Sequence, residues 1–337
     1  MPRWTEDRAA QSATHGLRRG VGVVVARSAQ VGGAHDVLLY EVIQDHGDAE
    51  SLERATWRCI RGVGLDAAGH VPGWREFAIV DVPHVPGQHS RRNLVGTSAA
   101  SLDEGMDLLF VRYEYLDQWG ARGATLQHSL YRDNQLSLNG EGLAWGDTTD
   151  ARIAVGDIGR RSSHPLDKDL LLAGRAPNGQ VKFRIGWQYQ GADAQRGWSS
   201  DRAVPHVFPS TGFGVAVIAH GSARHLVFVG LTPQGGGYAA HHCIGYDIDT
   251  AGNVARWGAW TEIPGLLPAQ LTGLDITVAD LEQDGRPDLI VASQGDFGLR
   301  YRIGFNILDL AAEPIQATPT MQRTAVSVTS RRRMPGR

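Results

Sequence analysis

Five short apolar runs recur along the chain: DVLLYEV from Asp36, DLLFVRY from Asp107, DLLLAGR from Asp169, HLVFVGL from His225 and DLIVASQ from Asp288, at spacings of 71, 62, 56 and 63 residues. A small-residue segment precedes each one: VGVVVA, LVGTSA, RIAVGD, FGVAVI and LDITVAD. A third apolar segment follows each one: TWRCIRGVGLD, TLQHSLYRD, KFRIGWQYQ, HHCIGYDID and RYRIGFNIL. Runs this short, bounded by polar and glycine residues, read as β-strands rather than helices. Self-similarity at such a period is the mark of a repeat architecture. Cys59 and Cys243 occupy the same position in their repeats, so they are expected as two buried thiols, not a disulfide.

A fourth segment carries a tryptophan: Trp74, Trp145, Trp198 and Trp260. The last repeat has none, because RYRIGFNIL runs into AAEPIQATPT. The missing piece stands at the other end, where Trp4-Thr5-Glu6-Asp7-Arg8-Ala9 matches Trp198-Ser199-Ser200-Asp201-Arg202-Ala203. A ring of sheets closed in this way leaves no open edge. The expected fold is therefore all-β: a five-bladed β-propeller of four-stranded blades, closed by the N-terminal strand completing the last blade. One domain over residues 1–312 is expected, followed by a flexible tail over 313–337 that ends in an arginine cluster.

The composition sharpens this picture. Glycine accounts for 42 of 337 residues and tryptophan for 9. Crowded inner strands account for the first, and the volume between outer strands for the second. The 33 basic and 36 acidic residues nearly balance, which excludes a dedicated nucleic-acid binder. No apolar run is long enough for a membrane span. No apolar leader opens the chain, so a cytoplasmic protein is expected, or one secreted by a signal-independent route.

The densest chemistry lies in DITVADLEQDGRPDLIVASQG. Asp280, Glu282, Asp284 and Asp288 stand at positions 1, 3, 5 and 9 of a tight loop. Gly285 permits the turn, and Arg286 offers a backbone carbonyl. Hard-oxygen donors at such spacing suit Ca2+, so a calcium site is expected at Asp280, Glu282, Asp284, Arg286 and Asp288. The segment resembles the FG-GAP/VCBS repeat family, strongly in the fifth repeat and weakly in the others. The resemblance implies a β-propeller and a calcium-binding loop. It departs at Glu282, where the family carries Asp or Asn, and it fixes fold better than activity.

The turns between strands 2 and 3, and those leading from strand 4 to the next strand 1, share the face opposite that loop. They carry His84, His89, Arg91, Trp119, His206, Phe208 and Tyr238. His84 and His206 hold matching places in V-P-H-V. Aromatic rings stack on sugars, and Arg and His supply donors and acceptors. These seven residues are the expected ligand-binding set. Catalytic motifs are absent: no G-x-S-x-G, H-E-x-x-H or Walker loop occurs. The few inner-strand carboxylates are Asp157, Asp275 and Asp280. The leading expectation is a calcium-stabilised module that binds a glycan or another small ligand. The alternative is an enzyme (hydrolase, lyase or cyclase) using His, Arg and Tyr groups in a central pocket on the same face.

Overall fold

The computed structural model describes residues 3–10, 17–28, 34–44, 55–81, 93–103, 106–116, 122–132, 135–141, 150–159, 168–189, 197–210, 212–268, 271–295 and 298–310. The chain is an all-β β-propeller. Two short strands open it, β1 (Arg3–Trp4) and β2 (Arg8–Ala9). A first sheet holds β3 (Leu17–Arg27), β4 (His35–Gln44), β5 (Ala55–Leu65) and β6 (Gly73–Asp81). A second holds β7 (Asn93–Asp103), β8 (Met106–Leu116), β9 (Arg122–Arg132) and β10 (Gln135–Glu141). The third holds β11 (Asp150–Gly156), β12 (Lys168–Arg175), β13 (Gln180–Tyr189) and β14 (Arg202–Val207). The fourth holds β15 (Phe213–His220), β16 (Ala223–Gln234), β17 (Gly237–Ile248), β18 (Val254–Trp257) and β19 (Thr261–Pro268). The last holds β20 (Leu271–Ala279), β21 (Asp288–Gly295) and β22 (Gly298–Phe305), followed by a 3-10 turn over Ile307–Leu310. The opening strands β1 and β2 both pair with β22, so the two ends of the chain share that sheet.

The first strands of the sheets touch in sequence and return to the start: β3 meets β7, β7 meets β11, β11 meets β15, β15 meets β20, and β20 meets β3. Their approach is close enough to require glycine. A Cβ on Gly273 would stand 2.7 Å from the Gly20 Cα and 2.8 Å from the Val21 nitrogen, both backbone atoms that cannot yield. The core lies in layers between neighbouring sheets. One layer joins the fourth and fifth sheets through Val227, Val229, Ile276 and Val291. Another joins the fifth and first through Val21, Leu39, Ile290 and Ile303. A third joins the third and fourth through Leu171, Phe183, Phe213 and Phe228.

The tryptophans follow one rule of register. Trp74 stands opposite Gly62, Trp198 opposite Gly186, Trp257 opposite Gly245 and Trp4 opposite Gly304. A side chain on Gly304 would press within 2.7 Å of the Trp4 ring. The indole thus lies on a strand whose missing Cβ makes room for it. This corrects the sequence reading in the fourth sheet: the fourth-strand tryptophan is Trp257, not Trp260. Trp145 lies outside the described residues, as does the segment 313–337 read as a tail. Cys59 and Cys243 are free and buried, as expected, and burial pushes the Cys243 thiol well above its usual pKa.

Candidate functional site

The residue that opens the apolar run of strand 2 recurs as a buried hydrogen-bond acceptor in four of the described sheets. In the first sheet the Asp36 Oδ1 accepts from the Gly64 amide at 2.9 Å, and Arg61 binds the other oxygen. In the third, Asp169 accepts from the amides of Gln188 (2.9 Å), Ile158 (3.0 Å) and Gly159 (2.8 Å). In the fifth, Asp288 accepts from Asn306 and Leu281, both at 2.8 Å. The fourth sheet replaces Asp with His225, whose Nδ1 accepts from the Asp247 amide at 3.0 Å. Each amide from strand 3 belongs to a residue in the left-handed region: Gly64 (φ 73), Gln188 (φ 50), Asp247 (φ 54) and Asn306 (φ 56). The acceptor therefore fixes a kink at the end of strand 3 that a residue other than glycine would resist.

This staple changes the reading of the acidic loop. Asp288 has no exposed surface, and both its oxygens hold amides, as do those of Asp169 in a sheet without the loop. The Asp280 oxygens accept from the amides of Asp284 and Gly285 at 3.1 and 2.9 Å. Glu282 pairs with Arg3 at 2.8 Å, and the Arg286 guanidinium pairs with Asp309 at 3.0 Å. The donor types suit a hard cation, but the arrangement does not gather them. Among the described residues no three His, Cys, Asp or Glu side chains converge as a metal site. The loop is closed by its own amides and by the N-terminal strand.

His225 makes its staple titratable. Burial lowers its pKa below the usual 6.5, and a neutral Nδ1 is needed to accept from Asp247. A depressed pKa gives stability that is present above about pH 6.5 and lost as pH falls through the folded value. His225→Asp, the residue that the other described sheets use, should keep the staple. It is expected to reduce the loss of melting temperature between pH 7 and pH 5, read by scanning fluorimetry across that range. An unchanged pH profile would remove His225 from the acid sensitivity.

The residues expected to bind ligand divide three ways. His84, His89, Arg91 and Trp119 lie outside the described residues. Phe208 is fully buried, packed edge-on against Trp260, Phe213 and Phe228. It belongs to the core, which corrects its assignment to a ligand wall. His206 is half-buried and stacks on Trp260 at 5.4 Å, with its Nε2 donating to the Gly258 carbonyl at 3.2 Å. Tyr238 is half-buried against the layer between the fourth and fifth sheets. Of the adjacent histidines, His241 stacks flat on Trp260, whereas burial beside Trp4 pushes the His242 pKa down to about 4.

The sequence reading missed most of the buried polar groups that gather around the axis. Asp275, on inner strand β20, has no exposed surface. Its Oδ2 accepts from the amides of Val23 (3.1 Å) and Ala99 (3.2 Å), and the Ser98 hydroxyl lies 3.2 Å from both oxygens. One carboxylate thus ties the fifth, first and second sheets. The Ser98 hydroxyl also accepts from the Ile153 amide of the third sheet at 3.3 Å. Burial is the main force on this group, and it pushes the Asp275 pKa up to about 7 against the pull of Arg152. Arg152 donates to the Leu274 carbonyl at 3.0 Å and to Asp150 at 2.5 Å. Asp150 also accepts from the Gly212 amide at 3.2 Å.

Beside them Glu41 binds Arg58 at 3.0 Å and the Gln294 amide at 2.8 Å, while the Gln294 carbonyl accepts from the Gly20 amide at 2.8 Å. Arg175 donates to the Phe208 carbonyl at 2.7 Å. Glu41, Arg58, Asp150, Arg152, Arg175, Asp275 and Gln294 are each at most 6 % exposed. Most of them stand toward the strand ends that lead into the 2–3 and 4–1 turns. The available signal was a charged residue inside an apolar strand, as in DVLLYEV and RIAVGD.

No family model and no curated protein matches the chain. Its similarity is to solved structures. AofleA from Arthrobotrys oligospora is 11 % identical over 85 % of this chain and 82 % of its own, with a TM-score of 0.44. Penicillium chrysogenum alpha-L-arabinanase complexed with arabinobiose is 13 % identical over 88 % and 79 %, with a TM-score of 0.43. The beta-1,2-mannobiose phosphorylase from Listeria innocua is 11 % identical over 89 % and 94 %, with a TM-score of 0.49. At such identities the likeness concerns the fold alone.

Proposed function

We propose that the sheets are the five blades of one closed ring, and that the ring binds a glycan on the face of its 2–3 and 4–1 turns. The observation that carries this reading is the buried charged floor at that end of the axis. Burying seven charged or amide side chains costs more than apolar packing would. Here they fix the ends of inner strands and set the polarity beneath the turns. Those turns carry His84, His89, Arg91 and Trp119, residue types that stack on sugar rings and bond their hydroxyls. The test is a glycan array probed with the full chain. Retention of a related set of glycans, competed by the free sugar and weakened in Trp119→Ala, is expected. An empty array would overturn the reading.

Calcium enters the proposal as a stabiliser of the loop that resembles the FG-GAP/VCBS family. Its support is the hard-oxygen donor chemistry of Asp280, Glu282 and Asp284 alone. Binding would require Glu282 to leave Arg3. Added Ca2+ is expected to raise the melting temperature of chelator-treated protein, and Asp284→Ala is expected to abolish the rise. A melting temperature indifferent to Ca2+ would remove the metal.

A further inference from the structure

The segment that closes the last sheet has a twin in the third. Trp4-Thr5-Glu6-Asp7-Arg8-Ala9 lies against Tyr301-Arg302-Ile303-Gly304, and Trp198-Ser199-Ser200-Asp201-Arg202-Ala203 lies against Phe183-Arg184-Ile185-Gly186. The register is the same: each Trp faces the glycine, and each Arg faces the aromatic residue. Thr5 and Ser199 repeat one exchange. Each amide donates to the carbonyl of the isoleucine opposite, at 2.9 and 2.8 Å, and each hydroxyl accepts from that isoleucine's amide, at 3.0 and 2.9 Å. Both segments also grip the next sheet. Arg8 donates to the Ala68 carbonyl at 3.3 Å and Arg202 to the Ala251 carbonyl at 3.4 Å. Each carbonyl belongs to a D-x-A-G turn whose aspartate accepts from two amides of its own turn. A Cβ on Gly69 would stand 2.9 Å from Ile303 and 3.0 Å from Thr5, and one on Gly252 would stand 3.2 Å from Ile185 and 3.7 Å from Ser199.

Only the covalent path differs. Ser199 meets Ile185 from 14 positions away, whereas Thr5 meets Ile303 from 298. The same docking forms with and without a hairpin between segment and sheet, so the contacts themselves select the segment. We propose that the last sheet is an acceptor site for residues 3–10 of a second copy of this chain, so that two rings exchange their opening segments in an isologous dimer. Exchange conserves every contact described, and it covers the β22 edge as strand addition does. The Arg3–Glu282 and Asp7–Arg300 ion pairs then cross between copies and hold the register. The segment of the same chain competes at an effective concentration of roughly millimolar order. Dimers therefore form when chains fold together at high concentration, and they persist on dilution because leaving requires the sheet to open. This inference concerns the closure of the ring and goes beyond what the ring binds.

Two full-length variants test it, Ala9→Cys and Arg300→Cys, whose positions face each other across β2 and β22. Facing positions of antiparallel strands lie within reach of a disulfide, and Ala9 is exposed. The variants are mixed at about 0.5 mM, near the competing effective concentration. They are refolded together under reductant or, where refolding fails, held just below the melting temperature, and then oxidised. A bond joining position 9 of one variant to position 300 of the other, read by peptide mass spectrometry, is expected. Light scattering on the wild-type chain should show the dimer fraction rising about tenfold or more between ~5 µM and ~0.5 mM, as mass action requires. The double variant, oxidised while dilute, locks its own segment in place and should stay monomeric at the higher concentration. A wild-type chain monomeric throughout would overturn the proposal. So would a dimer that the locked variant forms equally well, or one without the 9–300 bond when the double variant closes its own.

Discussion

Asp275→Ala is expected to cost roughly 3–5 kcal/mol of stability, the scale of removing one partner from a buried charged network. The loss follows from what remains. The amides of Val23 and Ala99 and the hydroxyl of Ser98 all point at the removed carboxylate. They belong to different sheets, so no small shift of one strand can satisfy them, and each unpaired buried group costs about 1–3 kcal/mol. Arg152 would lose one favourable coulombic partner while keeping Asp150. Chemical denaturation read by tryptophan fluorescence measures the loss, and a change below about 1 kcal/mol would show that the axis does not depend on this group.

Asp275→Asn separates charge from hydrogen bonding. The folded pKa near 7 lies above the unfolded value of about 3.9. The folded state therefore holds the proton more tightly. The contribution of Asp275 to stability is greatest below about pH 4 and declines as pH rises toward 7. Asparagine does not titrate. The variant is expected to approach wild-type stability at pH 5 and to gain on it at pH 8. A constant difference across that range would contradict the raised pKa.

Deleting residues 1–10 is the second large effect, and it should open the ring. The deletion removes both strands paired with β22 and the indole that sits over Gly304. It also removes the Arg3–Glu282 and Asp7–Arg300 ion pairs. An exposed strand edge beside an uncovered apolar layer favours association. The truncated chain is expected to melt at least about 10 °C lower, by the scaling of several kcal/mol to melting temperature, and to aggregate at concentrations where the full chain does not. Trp4→Ala should lose a smaller part of this, about 2–4 kcal/mol. Unaltered melting of the truncated chain would refute closure by the N-terminal strand.

The strand pattern was legible because period and register are written in residue types. Small residues mark the crowded inner strands, and Trp4 was recognisable as a displaced fourth strand from its neighbours Asp7, Arg8 and Ala9. Tryptophan alone was ambiguous where two stood close together. Trp257 and Trp260 differ only in which faces the glycine of strand 3, a fact of register that spacing does not carry. One member of the acidic loop was harder to place for a related reason. Asp288 was read with Asp280 and Asp284 as one donor set, yet its partners are the amides of Leu281 and Asn306, one of them beyond the loop. The same position in other repeats, Asp36, Asp169 and His225, held that information. Phe208 was placed by its turn, while its ring turns inward to Phe213 and Phe228. The axial network was hardest to read, since it joins residues as far apart as Val23, Ser98, Arg152 and Asp275.

A crystal structure of the full chain saturated with an array-selected glycan tests the functional account most directly. Density for the sugar is expected on the face of the 2–3 and 4–1 turns, over the floor formed by Glu41, Arg58, Asp150 and Gln294. Density only elsewhere on the ring, or none at saturation, would contradict it.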